Sequence, residues 1–135
     1  MSSVLFEVVT PERKILQEEV DSVIAPGTEG YLGVLPRHTP LLTTLKPGVV
    51  SYRKAAGADE RLAVSGGFME AGPDRVVILA DTAELAGEID VERARQARER
   101  AERRLQERPA ELDVARAEAA LARSLARLKA AGVEH

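Results

Sequence analysis

The amino-acid composition of this chain changes abruptly at Gly87. Nine of the ten glycines and six of the seven prolines lie at or before this residue. The four aromatic residues lie there too: Phe6, Tyr31, Tyr52 and Phe68. Residues 88–131 contain no glycine and no aromatic residue, and Ala, Arg, Glu and Leu dominate them. Because Gly and Pro mark turns whereas Ala, Leu, Arg and Glu favour helices, this break predicts a β-type domain over 1–87 and a helical domain over 88–135.

Length and composition exclude several classes of protein. At 135 residues the chain has the size of one domain or of two small ones. No apolar run approaches the ~20 residues needed to cross a bilayer, and the N-terminus lacks the basic and apolar regions of a signal peptide. The absence of cysteine excludes a disulfide framework and a thiolate metal site. We therefore expect a soluble intracellular protein without direct insertion into a bilayer.

The distribution of charge argues against a nucleic-acid partner. Residues 1–87 hold 8 basic and 12 acidic side chains, a net charge of −4, and residues 88–135 hold 11 and 10, a net charge of +1. The helical half is therefore rich in arginine without being basic overall. Nucleic-acid binding usually requires a strong positive excess, which releases the counterions of the phosphates.

Residues 1–87 have the pattern of short strands separated by turn signals, such as Pro26-Gly27 and Lys46-Pro47-Gly48. The predicted strands cover residues 4–9, 19–24, 31–35, 40–45, 49–53, 61–65, 68–71 and 75–80. About eight to ten closely spaced strands with no helix between them predict an antiparallel sandwich or barrel.

Residues 88–135 carry the signals of two helices. Asp90 and Asp113 are each placed to cap a helix, Pro109 separates the two segments, and Gly132 ends the second. Apolar residues recur at helical spacing, at Ala94, Ala97, Ala101 and Leu105 in the first segment and at Val114, Ala117, Leu121, Leu125 and Leu128 in the second. Two such helices joined by a short connection pack as an antiparallel hairpin.

The apolar seam of this hairpin is mostly alanine. Burial contributes about 0.8 kcal/mol per CH₂ group, so an alanine face contributes much less than a leucine face. The seam is consistent with a hairpin that is held weakly, to itself and to the strand domain, and that detaches as a switch. It is equally consistent with a stable hairpin whose small side chains allow close contact between the helices.

The sequence indicates no active site built from this chain alone. It contains no G-x-x-x-x-G-K-[ST] phosphate loop. His38 and His135 are the only histidines, which is too few for a histidine metal cluster. No Ser–His–Asp set is suggested either.

One groove of the predicted hairpin could bind phosphate. Four arginines line it if the chain reverses near residue 110, namely Arg93 and Arg100 on the first helix and Arg123 and Arg127 on the second. Glu84 and Asp90 lie at its open end. Guanidinium groups bind phosphate oxygens in bidentate fashion, so such a cluster suits a polyphosphate, and the carboxylates could accept hydrogen bonds from a base or a sugar. The alternative is an ordinary solvated face, because this half holds ten arginines and nearly as many acids.

Three strings of the first half resemble those of one family. Residues 30–41, GYLGVLPRHTPL, resemble the G-x-L-G-[IV]-x-P-x-H-x-P-L signature of the epsilon subunit of bacterial F-type ATP synthases. Residues 65–70, SGGFME, and residues 76–84, VVILADTAE, are similar to further strings of the same family. The resemblance covers essentially the whole chain, in order and at family length.

The resemblance implies an N-terminal antiparallel β-sandwich of about ten strands and a C-terminal antiparallel two-helix hairpin. It also implies a non-catalytic rotor subunit of the central stalk, peripheral to the cytoplasmic face of the bacterial cell membrane, which couples the membrane c-ring to the gamma subunit. In this family the hairpin lies against the sandwich or extends along gamma into the catalytic alpha/beta ring, where it inhibits ATP hydrolysis.

The resemblance further implies that ATP acts as a regulatory ligand. In some members the compact state binds ATP through a motif like [IL]-D-x-x-R-A, which residues 89–94, IDVERA, match in full. Carried over residue by residue, the implied ATP contacts are Glu84, Ile89, Asp90, Arg93, Ala94, Arg100, Arg123 and Arg127. They include the four arginines and two carboxylates of the predicted groove.

The resemblance also assigns contacts with partners. Tyr31 and His38 would face the c-ring, although many members carry a polar or acidic residue at the position of Tyr31. The extended second helix would present four basic residues to acidic segments of the catalytic ring: Arg116, Arg123, Arg127 and Lys129. Because two of these are also ATP contacts, bound nucleotide would withhold them from the inhibitory contact.

We therefore expect a rotor subunit that couples rotation and regulates hydrolysis, with ATP favouring the compact hairpin. Two alternatives stay open. One is the same subunit without physiological ATP binding, and the other is an unrelated adaptor protein with an arginine-rich helical arm.

Overall fold

The computed structural model describes residues 3–133, over which the chain forms nine strands and two α-helices. The strands are β1 (Val4–Val9), β2 (Lys14–Gly27), β3 (Gly30–Val34), β4 (Leu41–Leu45), β5 (Gly48–Lys54), β6 (Asp59–Val64), β7 (Gly67–Ala71), β8 (Arg75–Ala80) and β9 (Ala83–Leu85). A single 3-10 turn, Ala86–Glu88, leads to helices α1 (Val91–Glu107) and α2 (Val114–Ala130). The predicted fold class, a strand-rich half followed by a helical hairpin, is confirmed.

The strands form one hydrogen-bonded system around the long strand β2. Their order is β1-β8-β7-β4-β2-β5-β6-β9, with β3 beside β2. The first half of β2 pairs with β1, and its second half pairs with β3 and β5. Strand β2 thus pairs with β1 on one side of the domain and with β3 and β5 on the other, and so connects the two groups of strands around a common core.

Two details differ from the antiparallel arrangement predicted from the sequence. The pairing of β1 with β8 is parallel, because these strands meet through closure of the sheet and not through a hairpin, and turn signals carry no information about such a pairing. Strand β2 begins at Lys14, five residues earlier than predicted. Its first residues alternate little between buried and exposed positions, so the period-2 signal is absent there.

The core of the strand domain consists mainly of valine and other aliphatic residues. Val4, Phe6 and Val8 of β1 are at most 1% exposed, and the ring centroids of Phe6 and Tyr52 lie 5.2 Å apart. Burial of each large aliphatic or aromatic side chain contributes about 1.5–3 kcal/mol. The domain therefore has a core of its own, independent of the helices.

Tyr52 gives this core a pH dependence at the alkaline end. Burial, and then the negative charges of Glu18 and Glu60, raise the pKa of Tyr52 from its usual value of 10.0 to about 12. The folded protein therefore keeps a proton that the unfolded chain loses above about pH 10. We expect the free energy of unfolding to fall as pH rises from about 10 to about 12, and to fall less in Tyr52→Phe, which cannot ionise. Urea denaturation of both proteins across this range measures the effect, and equal slopes would contradict it.

The hairpin lies on the outer surface of β5 and β6 through α2. The contact is a small cluster, here called the alanine pad, made of Val49, Ala63, Ile89, Ala126 and Ala130 with Ala131 beside them. It shares no residue with the main core. Side chains alternate along a strand, so Val49 and Ala63 face the pad while their neighbours Val50 and Leu62 face the core.

The predicted apolar face of α2 is only partly correct. Ala117 and Leu128 are buried, whereas Leu125 is 37% exposed. Helix α2 packs against both α1 and the sheet, and the side that faces the sheet is formed by Ala126 and Ala130. A single stripe read from helical spacing cannot describe a helix that packs on two sides.

Candidate functional site

Two aspartate caps determine where the helices begin and therefore which side chains face each other. An Oδ1 atom of Asp90 accepts a hydrogen bond from the backbone N–H of Arg93, and Asp113 does the same for Arg116, both at 3.0 Å. Such caps contribute about 1 kcal/mol each. The predicted capping roles of both aspartates are confirmed.

The connection between the helices reverses the chain within six residues. Arg108 ends α1 in the left-handed conformation, with φ of 43°, and its N–H donates to the carbonyl of Arg104. Pro109 follows and cannot continue the helix. The reversal brings the last turn of α1 beside the first turn of α2.

An arginine groove runs between the two helices. It has a volume of about 730 Å³, and five arginines line it: Arg100, Arg104, Arg116, Arg123 and Arg127. Alanines of both helices also line it, among them Ala97, Ala101 and Ala117. Because these side chains are small, they leave room for a ligand between the guanidinium groups.

The structure brings together most, but not all, of the residues predicted for this site. Arg100, Arg123 and Arg127 line the groove, whereas Arg93 is exposed and does not line it. The expectation that all four predicted arginines line one groove is therefore wrong for Arg93. Its position at the start of α1 places it beyond the end of the groove.

Three other predicted residues lie where the hairpin meets the strand domain. Ala94 is 1% exposed, and Ile89 is 9% exposed as part of the alanine pad. Asp90 is exposed, and one of its carboxylate oxygens is engaged by the cap of α1. These residues adjoin the contact with the sandwich and do not line the arginine groove.

Within residues 3–133, the ion pair between Arg127 and Glu84 connects the groove to the strand domain. The Nε atom of Arg127 donates to Oε1 of Glu84 at 2.5 Å, and the two side chains are each 36% exposed. Glu84 belongs to β9, which pairs with β6 beside the alanine pad. The carboxylate predicted at the open end of the groove is therefore in place and holds one of its arginines.

The other four arginines of the groove have no such partner. Among residues 3–133, no carboxylate oxygen lies within 4.0 Å of a guanidinium nitrogen of Arg100, Arg104, Arg116 or Arg123. Like charges spaced four residues apart, as in Arg100 and Arg104, destabilise a helix by a few tenths of a kcal/mol. The groove therefore carries a positive charge that an anion would relieve.

Helical spacing could have identified the two groove arginines that the sequence prediction did not place there. Arg104 follows Arg100 by four residues, and Arg116 precedes Arg123 and Arg127 by seven and eleven, which is one helical face. Arg116 was assigned only to an inhibitory contact, and Arg104 to none. The signal was present in the arginine spacing.

The residues predicted to contact the rotor ring have partners within the chain. The Tyr31 ring is 54% exposed, but its hydroxyl accepts a hydrogen bond from the N–H of Val49 at 3.2 Å. Nδ1 of His38 lies 2.6 Å from the carbonyl oxygen of Thr39. Tyr31 lies beside the turn between β2 and β3, whereas His38 lies beyond the other end of β3. Both are accessible enough for a further contact.

An exposed apolar patch on the strand domain was not predicted. Leu42, Phe68 and Leu79 lie on the adjacent strands β4, β7 and β8 and are 70%, 52% and 55% exposed. Phe68 is directly opposite Leu79, and Leu42 is opposite Glu70, two residues further along β7. Exposed apolar residues grouped on one face make it a candidate surface for a protein contact. The uninterrupted apolar run 76–80, VVILA, indicates such a patch, because its outward-facing position, Leu79, is apolar.

A second cavity, of about 690 Å³, lies on the strand domain and is lined by Tyr52, Arg53 and Asp59 among others. No group of three or more histidines and carboxylates among residues 3–133 is placed to hold a metal ion. Neither helix described here is long and apolar enough to cross a membrane. Apart from Tyr52, a clear pKa shift is found at Arg53, whose pKa is raised by its hydrogen bond to Asp59. Neither residue lies in the arginine groove.

Known proteins resemble this chain over its whole length. The family model of the ATP synthase delta/epsilon chain β-sandwich domain matches residues 3–86, and that of its long α-helix domain matches residues 88–132. The ATP synthase epsilon chain of Moorella thermoacetica is 70% identical over 132 residues, 98% of each chain. That of Herpetosiphon aurantiacus is 56% identical and covers 93% of this chain and 91% of its own.

A solved structure shows the same arrangement. A chain of the Euglena gracilis mitochondrial ATP synthase, from a structure of its OSCP, F1 and c-ring, matches with a TM-score of 0.81 at 27% identity, covering 97% of this chain and 82% of that one. The two family models and the relatives exclude an unrelated adaptor protein. The chain belongs to the ATP synthase delta/epsilon family, to which the epsilon subunits of bacterial F-type enzymes belong.

Proposed function

We propose that the chain is a non-catalytic rotor subunit of the central stalk, which couples the membrane c-ring to the gamma subunit and inhibits ATP hydrolysis through its hairpin. ATP, as a regulatory ligand, stabilises the compact state. The observation that carries this proposal is the arginine groove, which is joined to the strand domain by Glu84 and Arg127. The names and assemblies of the relatives support the stalk assignment.

The compact state rests on few contacts, as a switch requires. The alanine pad contains one isoleucine and one valine, and its other members are alanines. At about 0.8 kcal/mol per buried CH₂ group, such a surface contributes much less than the main core. The ion pair between Glu84 and Arg127 adds a partly solvated contact, which is worth at most about 1 kcal/mol.

ATP would bind across the elements that must stay together in the compact state. Its triphosphate is placed on Arg100, Arg123 and Arg127, where guanidinium groups bind phosphate oxygens in bidentate fashion. Glu84 and the free oxygen of Asp90 are placed to accept hydrogen bonds from the base and the ribose. Arg127 then exchanges its contact with Glu84 for a phosphate, so one ligand joins both helices to the strand domain.

The remaining residues of the motif shape the end of this site. Ile89 and Ala94 are buried beside it and form an apolar boundary. Arg93, at the start of α1, is exposed and reaches the ligand only by extending past the end of the groove. We therefore expect Arg93 to contribute less to ATP binding than Arg127.

The inhibitory contact uses the opposite state of the hairpin. When α2 leaves the strand domain, Arg116, Arg123, Arg127 and Lys129 become available to acidic segments of the alpha/beta ring. Arg123 and Arg127 serve both states, so bound ATP withholds them from the ring. A ligand shifts the balance only by its differential affinity, and a change from 1:99 to 99:1 requires about 10⁴-fold.

The strand domain supplies the mechanical contacts. The apolar patch of Leu42, Phe68 and Leu79 is the surface we assign to the gamma subunit, because protein contacts bury surface of this kind. Tyr31 and His38 face the c-ring in this proposal. The protein is then peripheral, at the cytoplasmic face of the bacterial cell membrane, and does not enter the bilayer.

The proposal is tested by measuring the position of the hairpin. The chain has no cysteine, so a fluorophore pair is attached at Glu29→Cys and Glu118→Cys, two exposed positions on the strand domain and on α2. We expect ATP to increase the population with a short distance between the labels, and ADP to do so much less. The same pair in the Arg127→Ala background is the control and loses the response. If saturating ATP does not change the distance distribution, regulation by ATP is contradicted and only the role as a stalk subunit remains.

A further inference from the structure

One end of the arginine groove lies next to the connection between the helices, residues 108–113, and is here called the hinge end. It holds two cations that the proposed ATP site does not use. Arg104 lies in the last turn of α1 and Arg116 in the first turn of α2. Both line the same groove as Arg100 and Arg123, together with Ala101 and Ala117. The connection at 108–113 brings these two turns together.

Among residues 3–133, Arg116 forms no ion pair within 4.0 Å with a carboxylate. A cation in the first turn lies next to the positive end of the helix dipole, which costs about 0.3–1 kcal/mol. Asp113 lines the same end of the groove, and its Oδ1 accepts from the backbone N–H of Arg116 and not from its guanidinium. Glu111 also lines this end of the groove, yet among residues 3–133 it has no guanidinium nitrogen within 4.0 Å.

The hinge end is distant from the proposed triphosphate contacts. At 1.5 Å of rise per residue, Arg116 lies about 16 Å along α2 from Arg127 and about 10 Å from Arg123, whereas Arg123 and Arg127 are about 6 Å apart. A group held by Arg104 and Arg116 is therefore separate from one held by Arg123 and Arg127. Arg100, four residues before Arg104, lies between the two positions.

We propose that Arg104 and Arg116 form a second anion subsite, which takes a phosphate oxyanion at the hinge of the hairpin. The oxyanion is either free inorganic phosphate or one end of a longer polyphosphate that also occupies the rest of the groove. Two guanidinium groups from different helices bind it in bidentate fashion. The subsite rests on the proposed function only for its separation from the ATP contacts, which the proposal places on the other arginines of the same groove.

Occupation of this subsite would act on the hairpin itself. Its two arginines come from different helices, so a bound oxyanion joins α1 to α2 at the hinge. It does not touch the strand domain. We therefore expect it to hold the two helices against each other in either position of the hairpin, unlike ATP, which joins the hairpin to Glu84.

The test is calorimetric titration of the full chain with inorganic phosphate, without ATP and with saturating ATP, and with long-chain inorganic polyphosphate. The variant is Arg104→Gln with Arg116→Gln, and the control is Arg95→Gln with Arg103→Gln, which removes two exposed arginines outside the groove. Loss of charge-assisted hydrogen bonds predicts an affinity about tenfold lower or more in the variant and unchanged in the control. Circular dichroism of both variants confirms that the helices are retained.

The outcomes separate this proposal from the ATP site. Phosphate that binds the ATP-saturated protein and weakens in the variant supports free phosphate as the ligand. If polyphosphate binds and displaces ATP, phosphate does not bind, and the variant weakens polyphosphate binding, the ligand is a longer polyphosphate. Three results would overturn the subsite. They are phosphate binding that saturating ATP abolishes, binding of either probe that is equally strong in the variant, and no binding of either probe to the unaltered protein. If phosphate binds without ATP and binds more weakly in the variant, while ATP itself does not bind, the subsite stands and the nucleotide proposal fails.

Discussion

Replacing Arg127 by alanine is expected to lower the affinity of the isolated protein for ATP by about 100-fold or more. The variant removes the proposed bidentate phosphate contact, and charge-assisted hydrogen bonds of this type are worth about 1.5–3 kcal/mol each. It also removes the ion pair with Glu84, which ATP binding has to break in the unaltered protein. Because that pair is partly solvated and worth at most about 1 kcal/mol, it offsets only a small part of the loss. Calorimetric titration with ATP and ADP, with and without magnesium, measures the change.

The matched control is Arg103→Ala, an equal change of charge on the same hairpin. Arg103 is exposed and does not line the groove, so ATP affinity should stay within about twofold of the original, in keeping with the small effect of solvated charges. Equal losses in the two variants would show that only overall charge matters. Absence of heat at millimolar ATP in the unaltered protein would reduce the groove to a solvated face or an inhibitory surface.

Replacing Gly67 by alanine is expected to destabilise the strand domain by about 3 kcal/mol or more. Gly67 has φ of +139°, which side chains rarely adopt, and an added Cβ would lie 2.1 Å from the carbonyl oxygen of Leu79 and 2.9 Å from the Cα of Ala80. Both obstacles are backbone atoms of β8, so relief requires the strand itself to move. Gly67 is paired with Ala80 in the ladder, and such a movement would disturb the pairing of β7 with β8.

Gly33→Ala is the control for this prediction. Gly33 lies in β3, and an added Cβ there meets no atom within 4 Å. The substitution should change the free energy of unfolding by less than about 1 kcal/mol, because it only restricts the unfolded chain. Urea denaturation of the three proteins gives the comparison. Similar midpoints for Gly67→Ala and Gly33→Ala would show that β8 moves away at little energetic cost, and that its closeness to Gly67 does not require a glycine there.

The division of the chain could be predicted from its sequence because each half has a uniform local pattern. Asp90 and Asp113 cap helices through residues only three positions away, and such local signals can be recognised in the sequence itself. The parallel pairing of β1 with β8 is not legible in this way, because it joins residues about 70 positions apart through closure of the sheet. The three-residue strand β9 is too short to show a period.

The candidate site was predictable to the extent that it depends on helical spacing. Register within the hairpin placed Arg100, Arg123 and Arg127 correctly, because the antiparallel geometry fixes which turns meet. The same register did not show that Arg93 lies beyond the groove. Glu84 was predicted at the open end of the groove but not as the partner of Arg127, since that contact depends on how β9 meets β6. Positions set by contacts between the two halves need the folded structure.

The alternation of side chains along β5 and β6 separates the packing of the strand domain from the docking of the hairpin. Val50 and Leu62 belong to the main core, whereas their neighbours Val49 and Ala63 belong to the alanine pad. In the proposed mechanism, a substitution at Val49 or Ala63 changes how long the hairpin stays docked, while the main core keeps its packing. The lifetime of the docked state can then be engineered on the outer surface of the sheet without loss of stability in the strand domain.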